Sequence, residues 1–260
     1  MNGKKEEEDS DQVLKGCIGE IFKEYKGIYG YRRIKKALEE DYGYIVNHKK
    51  VQRLMKEMGL QCVKFGRKSR KYNAYKGTVG KVAKNRMNRR FHTKIPYQKL
   101  TTDITEFKCS GGKKLYLSPI LDMFNGEILS YGISTSPTLE FVLNPLEEAL
   151  DIVKNSKYRT TIHSDQGWHY QHDKWVKTLK GNKVFQSMSR KGNCIDNAPI
   201  ESFFGILKQE MYHGEPLCTY DELKIKIEEY ISLYNNKRIK KKLDGMSPVQ
   251  YRIHTSQLAA

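Results

Sequence analysis

Long apolar runs are missing from this sequence. No stretch approaches the ~18 consecutive apolar residues that span a bilayer, so a membrane-embedded helix is excluded. Cysteine is scarce: five residues in 260 (Cys17, Cys62, Cys109, Cys194 and Cys218), odd in number and without a C-x-x-C pair. A disulfide scaffold and a cysteine-based zinc centre are thereby excluded, and a reducing, cytoplasmic setting is expected. The first eleven residues carry five acids and no apolar segment, which excludes a secretory signal there. Acids, in turn, vanish altogether between Cys62 and Leu100, where thirteen Lys and Arg stand unopposed.

What is present is positive charge. Lys and Arg number 47 against 30 Asp and Glu, a formal net charge of +17. Such an excess calls for a polyanionic partner, nucleic acid or an anionic membrane face. Outside the 62–100 window the chain carries 34 basic and 30 acidic residues, so most of the excess is local. Gly66, Gly77, Gly80 and Pro96 interrupt that window, and no apolar period is sustained. It reads as a basic linker, residues 62–98, between a helical unit (1–61) and a larger unit (99–260). Lys68, Arg70, Lys71, Arg86, Arg89 and Arg90 are its candidate phosphate contacts, with Phe65, Tyr72, Tyr75 and Phe91 interleaved.

Three helical patterns precede the linker. The first, about Gln12 to Tyr25, supplies Val13, Leu14, Ile18, Ile21 and Phe22; the second, Tyr31 to Glu40, supplies Ile34, Ala37 and Leu38 and stops at Gly43. The third starts after Asn47, a good N-cap, and runs from His48 to Met58, with Val51, Leu54, Met55 and Met58 forming one apolar stripe before Gly59. Three short helices with a tight turn suit a helix-turn-helix bundle. Lys49, Lys50, Gln52, Arg53 and Lys56 lie off the stripe, where phosphates or base edges are within reach.

From Leu100 the period changes from helix to strand. Strands are expected at Thr101–Lys108, Lys114–Met123 and Gly126–Ser134, joined by the turns Ser110-Gly-Gly-Lys113 and Asn125-Gly126. A helix at Thr138–Lys154, a strand at Arg159–His163, a helix at about Tyr170–Lys180 and a strand at Asn182–Gln186 follow. Two helices, about Asn197–Tyr212 and Tyr220–Asn235, come last. Three antiparallel strands, then strands reached through helices, imply an α/β fold with a five-stranded mixed sheet and flanking helices.

Three acids occupy unusual places in that order. Asp103 lies inside the first strand, Asp165 just past the fourth, and Glu201 in the first turns of the helix that Pro199 opens. A central strand, a neighbouring strand end and a helix are able to converge at one sheet edge, although composition does not say which of 30 acids do. Crowded carboxylates repel and are tolerated when cations sit between them, and hard oxygen ligands select Mg²⁺ or Mn²⁺. Two such ions ~3.5–4 Å apart activate one oxygen and stabilise another in phosphodiester chemistry. Lys208, two helical turns past Glu201, faces the same way and would hold a DNA backbone there.

The motifs Thr102-Asp-Ile-Thr-Glu106, His163-Ser-Asp-Gln-Gly167 and Ser189-Arg-Lys-Gly-Asn-Cys-Ile-Asp-Asn-Ala198, running into Glu201-Ser-Phe-Phe-Gly-Ile-Leu-Lys208, resemble the IS-three family of insertion-sequence transposases, DDE enzymes with an integrase core. Thirty-five residues separate Asp165 from Glu201, as in that triad. Tyr29-Gly-Tyr-Arg-Arg33, Tyr230-Ile-Ser-Leu-Tyr-Asn-Asn-Lys-Arg238 and Met246-Ser-Pro-Val-Gln-Tyr251 extend the likeness from about residue 12 to 252. The resemblance implies a ribonuclease-H-like core, metal ligation by Asp103, Asp165 and Glu201, and Mg²⁺-dependent cleavage and strand transfer at element ends. Mn²⁺ is the expected substitute and no zinc is expected, since His48 and Cys62 do not form an integrase zinc unit. The implied partners are DNA, both element ends and target, further copies of the chain on DNA, and the product of an upstream reading frame. That frame's leucine zipper has no counterpart here, and the implied location is the bacterial nucleoid.

Overall fold

The computed structural model describes residues 2–62, 81–156, 158–191 and 194–258. Lys68, Arg70 and Lys71 therefore lie outside the described residues. The chain forms two compact units, the first from the N-terminal helices and the second from the sheet and the helices around it.

The first unit is a three-helix bundle: α1 (Asn2–Glu24), α2 (Tyr31–Tyr42) and α3 (His48–Glu57). Leu14, Ile18 and Ile21 of α1, Ile34 and Leu38 of α2, and Val51 and Leu54 of α3 are buried, and Tyr25 stacks on Tyr29 with ring centroids 3.9 Å apart. Gly43 closes α2 in the left-handed region (φ 71°), and the Asn47 side chain caps α3 by accepting the Lys49 amide at 2.9 Å. Val13, expected in the core, is 54 % exposed. It sits one position off the Leu14–Ile18–Ile21 stripe, and a helix face about 100° wide has no room for it.

The second unit is built on a mixed sheet. Its strands are β1 (Lys99–Thr102), β2 (Thr105–Lys108), β3 (Lys114–Asp122), β4 (Ile128–Ser134), β5 (Thr161–Ser164) and β6 (Phe185–Met188). β1 and β2 pair with the same edge of β3 in one unbroken antiparallel register, Thr102 opposite Ile120 and Thr105 opposite Leu117. They are one long strand interrupted at Asp103 and Ile104. The effective order is thus β4, β3, β1 with β2, β5, β6, with β5 and β6 parallel to β1: five strand positions in the ribonuclease-H-like arrangement.

Helices cover this sheet. α4 (Leu139–Val153) is capped by Thr138 and buries Phe141, Val142, Leu146, Ala149 and Leu150 against Leu100, Ile120 and Ile162. The region expected as one helix at Tyr170–Lys180 is two, α5 (Trp168–Gln171) and α6 (Asp173–Gly181), because His172 is extended and its ring nitrogen caps the Lys174 amide. β6 begins later than expected, since Asn182 and Lys183 close α6; Lys183 takes φ 57° and its amide bonds the Lys180 carbonyl. α7 (Ala198–Met211) and α8 (Tyr220–Asn236) follow, joined by a buried network in which Arg238 and Tyr230 both donate to Glu210. α9 (Pro248–Leu258), a helix not anticipated from sequence, is tied back to the β3–β4 turn by Arg252 donating to Glu127 at 2.7 Å.

Candidate active site

The parallel pairing of β1 with β5 fixes the first two acids. Leu100 lies opposite Ile162 and Thr101 opposite His163. Asp103 and Asp165 each stand two residues past that pair, just beyond the strand ends, so the register leads both to the same end of the sheet, and the Asp165 charge acts on the Asp103 carboxyl. Each aspartate spends one oxygen on its own backbone. Asp103 Oδ1 accepts the Ile104 amide at 2.8 Å, where the strand is interrupted, and Asp165 Oδ1 accepts the Gly167 amide at 2.8 Å in the turn after β5. The other oxygen of each has no hydrogen bond among the described residues. Gly167 leaves room for this contact: a Cβ there would meet Asp165 Oδ1 at 2.9 Å, so any larger residue must shift the carboxylate.

Glu201 arrives on the first turns of α7, at the exposed rim. Two anchors hold the start of that helix. Thr101 Oγ1, on β1, donates to Asn197 Oδ1 at 2.7 Å, and the fully buried carboxylate of Asp196 binds Arg190, which follows β6.

Electrostatics tie the three acids together. Burial pushes the Asp103 carboxyl well above its ordinary range, and the charges of Asp165 and then Glu201 push it further. Burial also raises Asp165 and Glu201. Buried Tyr170 is raised far above a normal phenol, first by burial and then by the charges of Asp103 and Asp165. Two raised aspartates at the same end of the β1–β5 pair, with the Glu201 charge acting on Asp103, are a place where a cation would be welcome.

Among the described residues no three His, Cys, Asp or Glu side chains form a ready-made metal cage. The donor set nevertheless fits Mg²⁺, because it is all oxygen. Mg²⁺ keeps several waters and takes one or two carboxylates plus substrate phosphates in place of a complete protein cage.

Of the residues expected to meet DNA, the Lys208 ammonium lies 4.9 Å from the Phe107 ring centroid, at β2. Arg86 lies over Phe185 at 4.5 Å, and Arg90 is exposed. Arg89 donates to Asp196 at 3.0 Å. In the first unit, Lys49 is exposed, whereas Lys50 and Arg53 both bind Asp11, at 2.7 and 2.6 Å. Sequence reasoning gave no role to Asp196, Arg190, Asn197 or His163. Arg89 and Asp196 are 107 residues apart, and no local pattern announces such a pair.

Residues 93–194 and 201–255 match the integrase core domain family, and residues 8–68 match the HTH-like domain family. The chain is 43 % identical over 242 residues to the putative transposase InsK for insertion sequence element IS150 of Escherichia coli, covering 93 % of this chain and 83 % of that protein. It is 48 % identical over 209 residues to an uncharacterized transposase-like protein of Haemophilus influenzae, covering 80 % of this chain and 93 % of that one. It is 31 % identical over 246 residues to the transposase for insertion sequence element IS904 of Lactococcus lactis, covering 94 % of this chain and 95 % of that protein. Among solved structures, the HTLV-2 integrase catalytic core domain in complex with magnesium aligns with TM-score 0.47 and 16 % identity over 60 % of this chain and 97 % of that one. The chain belongs to the IS-three family of insertion-sequence transposases, DDE polynucleotidyl transferases built on an integrase core.

Proposed function

We propose that Asp103, Asp165 and Glu201 are the catalytic acids of this transposase and hold Mg²⁺, for which Mn²⁺ substitutes. The observation that carries this reading is the β1–β5 register, which sets Asp103 beside Asp165, with the Asp103 carboxyl also feeling Glu201. When bound, the metal supplies charge stabilisation to the reacting phosphate and a lowered pKa to the attacking oxygen. The carboxylates hold the cation charge at the end of the β1–β5 pair, and the hydrogen bonds from the Ile104 and Gly167 amides each fix one oxygen of Asp103 and Asp165, leaving the other for the cation.

The reaction at the element end is hydrolysis. A water oxygen forms a bond to phosphorus, the bond from phosphorus to the 3′ oxygen breaks, and a 3′-hydroxyl is left. In strand transfer that 3′ oxygen attacks a target phosphodiester and displaces the target's own 3′ oxygen, so the number of phosphodiester bonds is conserved. Neither step needs a covalent intermediate with the protein.

DNA is engaged by the helix-turn-helix through Lys49, Lys50 and Arg53 of α3, and by Lys208, Arg86 and Arg90 at the catalytic unit, with Lys68, Arg70 and Lys71 of the linker. Several copies assemble on two element ends and target in the nucleoid, alone or with the product of the upstream reading frame. The test is a supercoiled-plasmid assay with Mg²⁺ and labelled element ends. Joined products are expected; nicks without joining would reduce the activity to that of a nuclease, and a mobility shift without cleavage to that of a DNA-binding protein.

A further inference from the structure

Residues 85–89 precede the first strand of the core, yet they are bound to β6, which pairs with the strand before Asp165, and to the turn that leads into α7. At one end, the Arg86 and Met87 amides donate to Ser187 Oγ on β6 at 2.9 and 3.4 Å. Ser187 Oγ lies 2.8 Å from His163 Nδ1, on β5, two residues before Asp165. The other ring nitrogen of His163 meets Ser189 Oγ at 3.2 Å. At the other end, Asn85 and Arg89 reach Asp196, five residues before Glu201.

Asp196 is the centre of this arrangement. Its side chain has no exposed surface, and it accepts five hydrogen bonds. Arg190 gives three: Nε to Oδ2 and Nη2 to Oδ1, both at 2.8 Å, and its own amide to Oδ2 at 3.1 Å. Arg89 Nε gives one to Oδ1 at 3.0 Å, and Asn85 Nδ2 one to Oδ2 at 3.1 Å. The next residue, Asn197, accepts from Thr101 on β1. The arginines are half exposed, but the carboxylate is covered by them, so it has one position: moving it would strip charge-assisted partners from an acid with no water of its own to replace them.

We propose that Asp196 is a positioning residue that sets Glu201 relative to Asp103 and Asp165, and that Asn85 and Arg89 belong to the same frame. The proposal rests on the reading of Glu201 as a metal ligand. The geometry also distinguishes two roles for Arg89. A phosphate contact would lower DNA affinity and reduce the salt slope by about one when removed. A positioning residue leaves the slope alone and changes the metal dependence.

The test uses the full chain with Asp196→Asn, Arg89→Ala, Arg89→Lys, Asn85→Ala, Glu201→Gln and, as a stability control, Glu127→Gln, which removes charge from the pair with Arg252. Mn²⁺ affinity is measured by calorimetry without DNA, the Mg²⁺ concentration for half-maximal cleavage on labelled ends, and DNA affinity against salt in Ca²⁺. Asp196→Asn and Arg89→Ala are expected to raise the half-maximal Mg²⁺ concentration and weaken Mn²⁺ binding about tenfold or more, the range for residues that orient metal ligands. DNA affinity and salt slope stay put, Arg89→Lys recovers part of the loss, and Glu127→Gln lowers thermal stability without moving the metal dependence. Should the Asp196 variant not fold, Asn85→Ala removes one neutral donor, keeps both ion pairs, and is expected to move the metal dependence in the same direction. Folded variants with unchanged Mn²⁺ affinity, or a smaller salt slope for Arg89→Ala, overturn the proposal. If Glu201→Gln itself keeps cleavage and Mn²⁺ affinity, the assignment of Glu201 fails before the proposal is reached.

Discussion

Gly167 shows how little room the proposed catalytic acids have. Its amide holds Asp165, and a methyl group on its Cα would sit 2.9 Å from the same carboxylate oxygen and 3.5 Å from the Tyr170 ring. Asp165 has a short side chain and cannot retreat without giving up that hydrogen bond. Gly167→Ala is therefore expected to lower the cleavage rate by about tenfold to a hundredfold, the effect of disturbing a metal ligand's support, with DNA affinity unchanged; gel-shift and cleavage assays on one preparation check both. If the three raised carboxyls hold Mg²⁺ as proposed, protons compete with it for them. Lowering the pH should then raise the Mg²⁺ concentration needed for half-maximal cleavage, while saturating Mg²⁺ restores the rate.

His163 gives a second titration, and its consequence is for folding. Burial lowers its ring pKa from the ordinary value of 6.5 to about 4, and the folded ring stays neutral between Ser187 and Ser189. In the unfolded chain it takes up a proton near 6.5. Between those values the unfolded state binds more protons, so the contribution is complete above about pH 6.5 and is lost as pH falls toward 4, on the order of 3 kcal/mol in total. Urea unfolding at neutral and acid pH, compared with His163→Gln, isolates it: the variant should lose less stability on acidification. At this scale the sequence was informative wherever chemistry is local. Asp103, Asp165 and Glu201 stand in recognisable neighbourhoods, whereas His163 and Asp196 acquire their surroundings from residues far along the chain.

At the scale of elements, a backbone contact ties β4 to α4. A Cβ on Gly132 would lie 2.5 Å from the Phe141 carbonyl oxygen, and backbone cannot rotate away. Gly132→Ala should cost about 1–3 kcal/mol, the range for overpacking, read as a lowered denaturation midpoint. On α3, Asp11 occupies Lys50 and Arg53, and Arg53 also meets Glu57. Exposed ion pairs of this kind are worth at most about 1 kcal/mol, little enough for a phosphate to displace if α3 meets DNA as proposed. Asp11→Asn should tighten binding to DNA of any sequence; unchanged or weaker binding would remove Lys50 and Arg53 from the interface. Helix ends were legible where a local cap marks them: Asn47, Gly43 and Thr138 act where their types suggest, whereas α1 starts at Asn2 and not near Gln12, where no cap stands. The break at His172 and the late start of β6 were not, since both depend on whether α6 packs through Trp175 and Leu179.

For the whole molecule, strand and helix order was readable from period and turns, and so was the mixed sheet. The joining of β1 and β2 into one strand through Asp103, and the parallel register with β5, were not, because register is decided by pairing across distance. The linker shows the same limit. Its charge is plain in the sequence, but Asn85 and Arg89 are bound to Asp196 within the catalytic unit. The central claim is that three distant carboxylates share divalent cations. Calorimetric Mn²⁺ titration of the full chain against Asp103→Asn, Asp165→Asn and Glu201→Gln tests it most directly. Each variant should lose most Mn²⁺ affinity and all detectable cleavage of labelled ends while binding DNA as the parent does. A variant that keeps both parental Mn²⁺ affinity and cleavage would contradict the account.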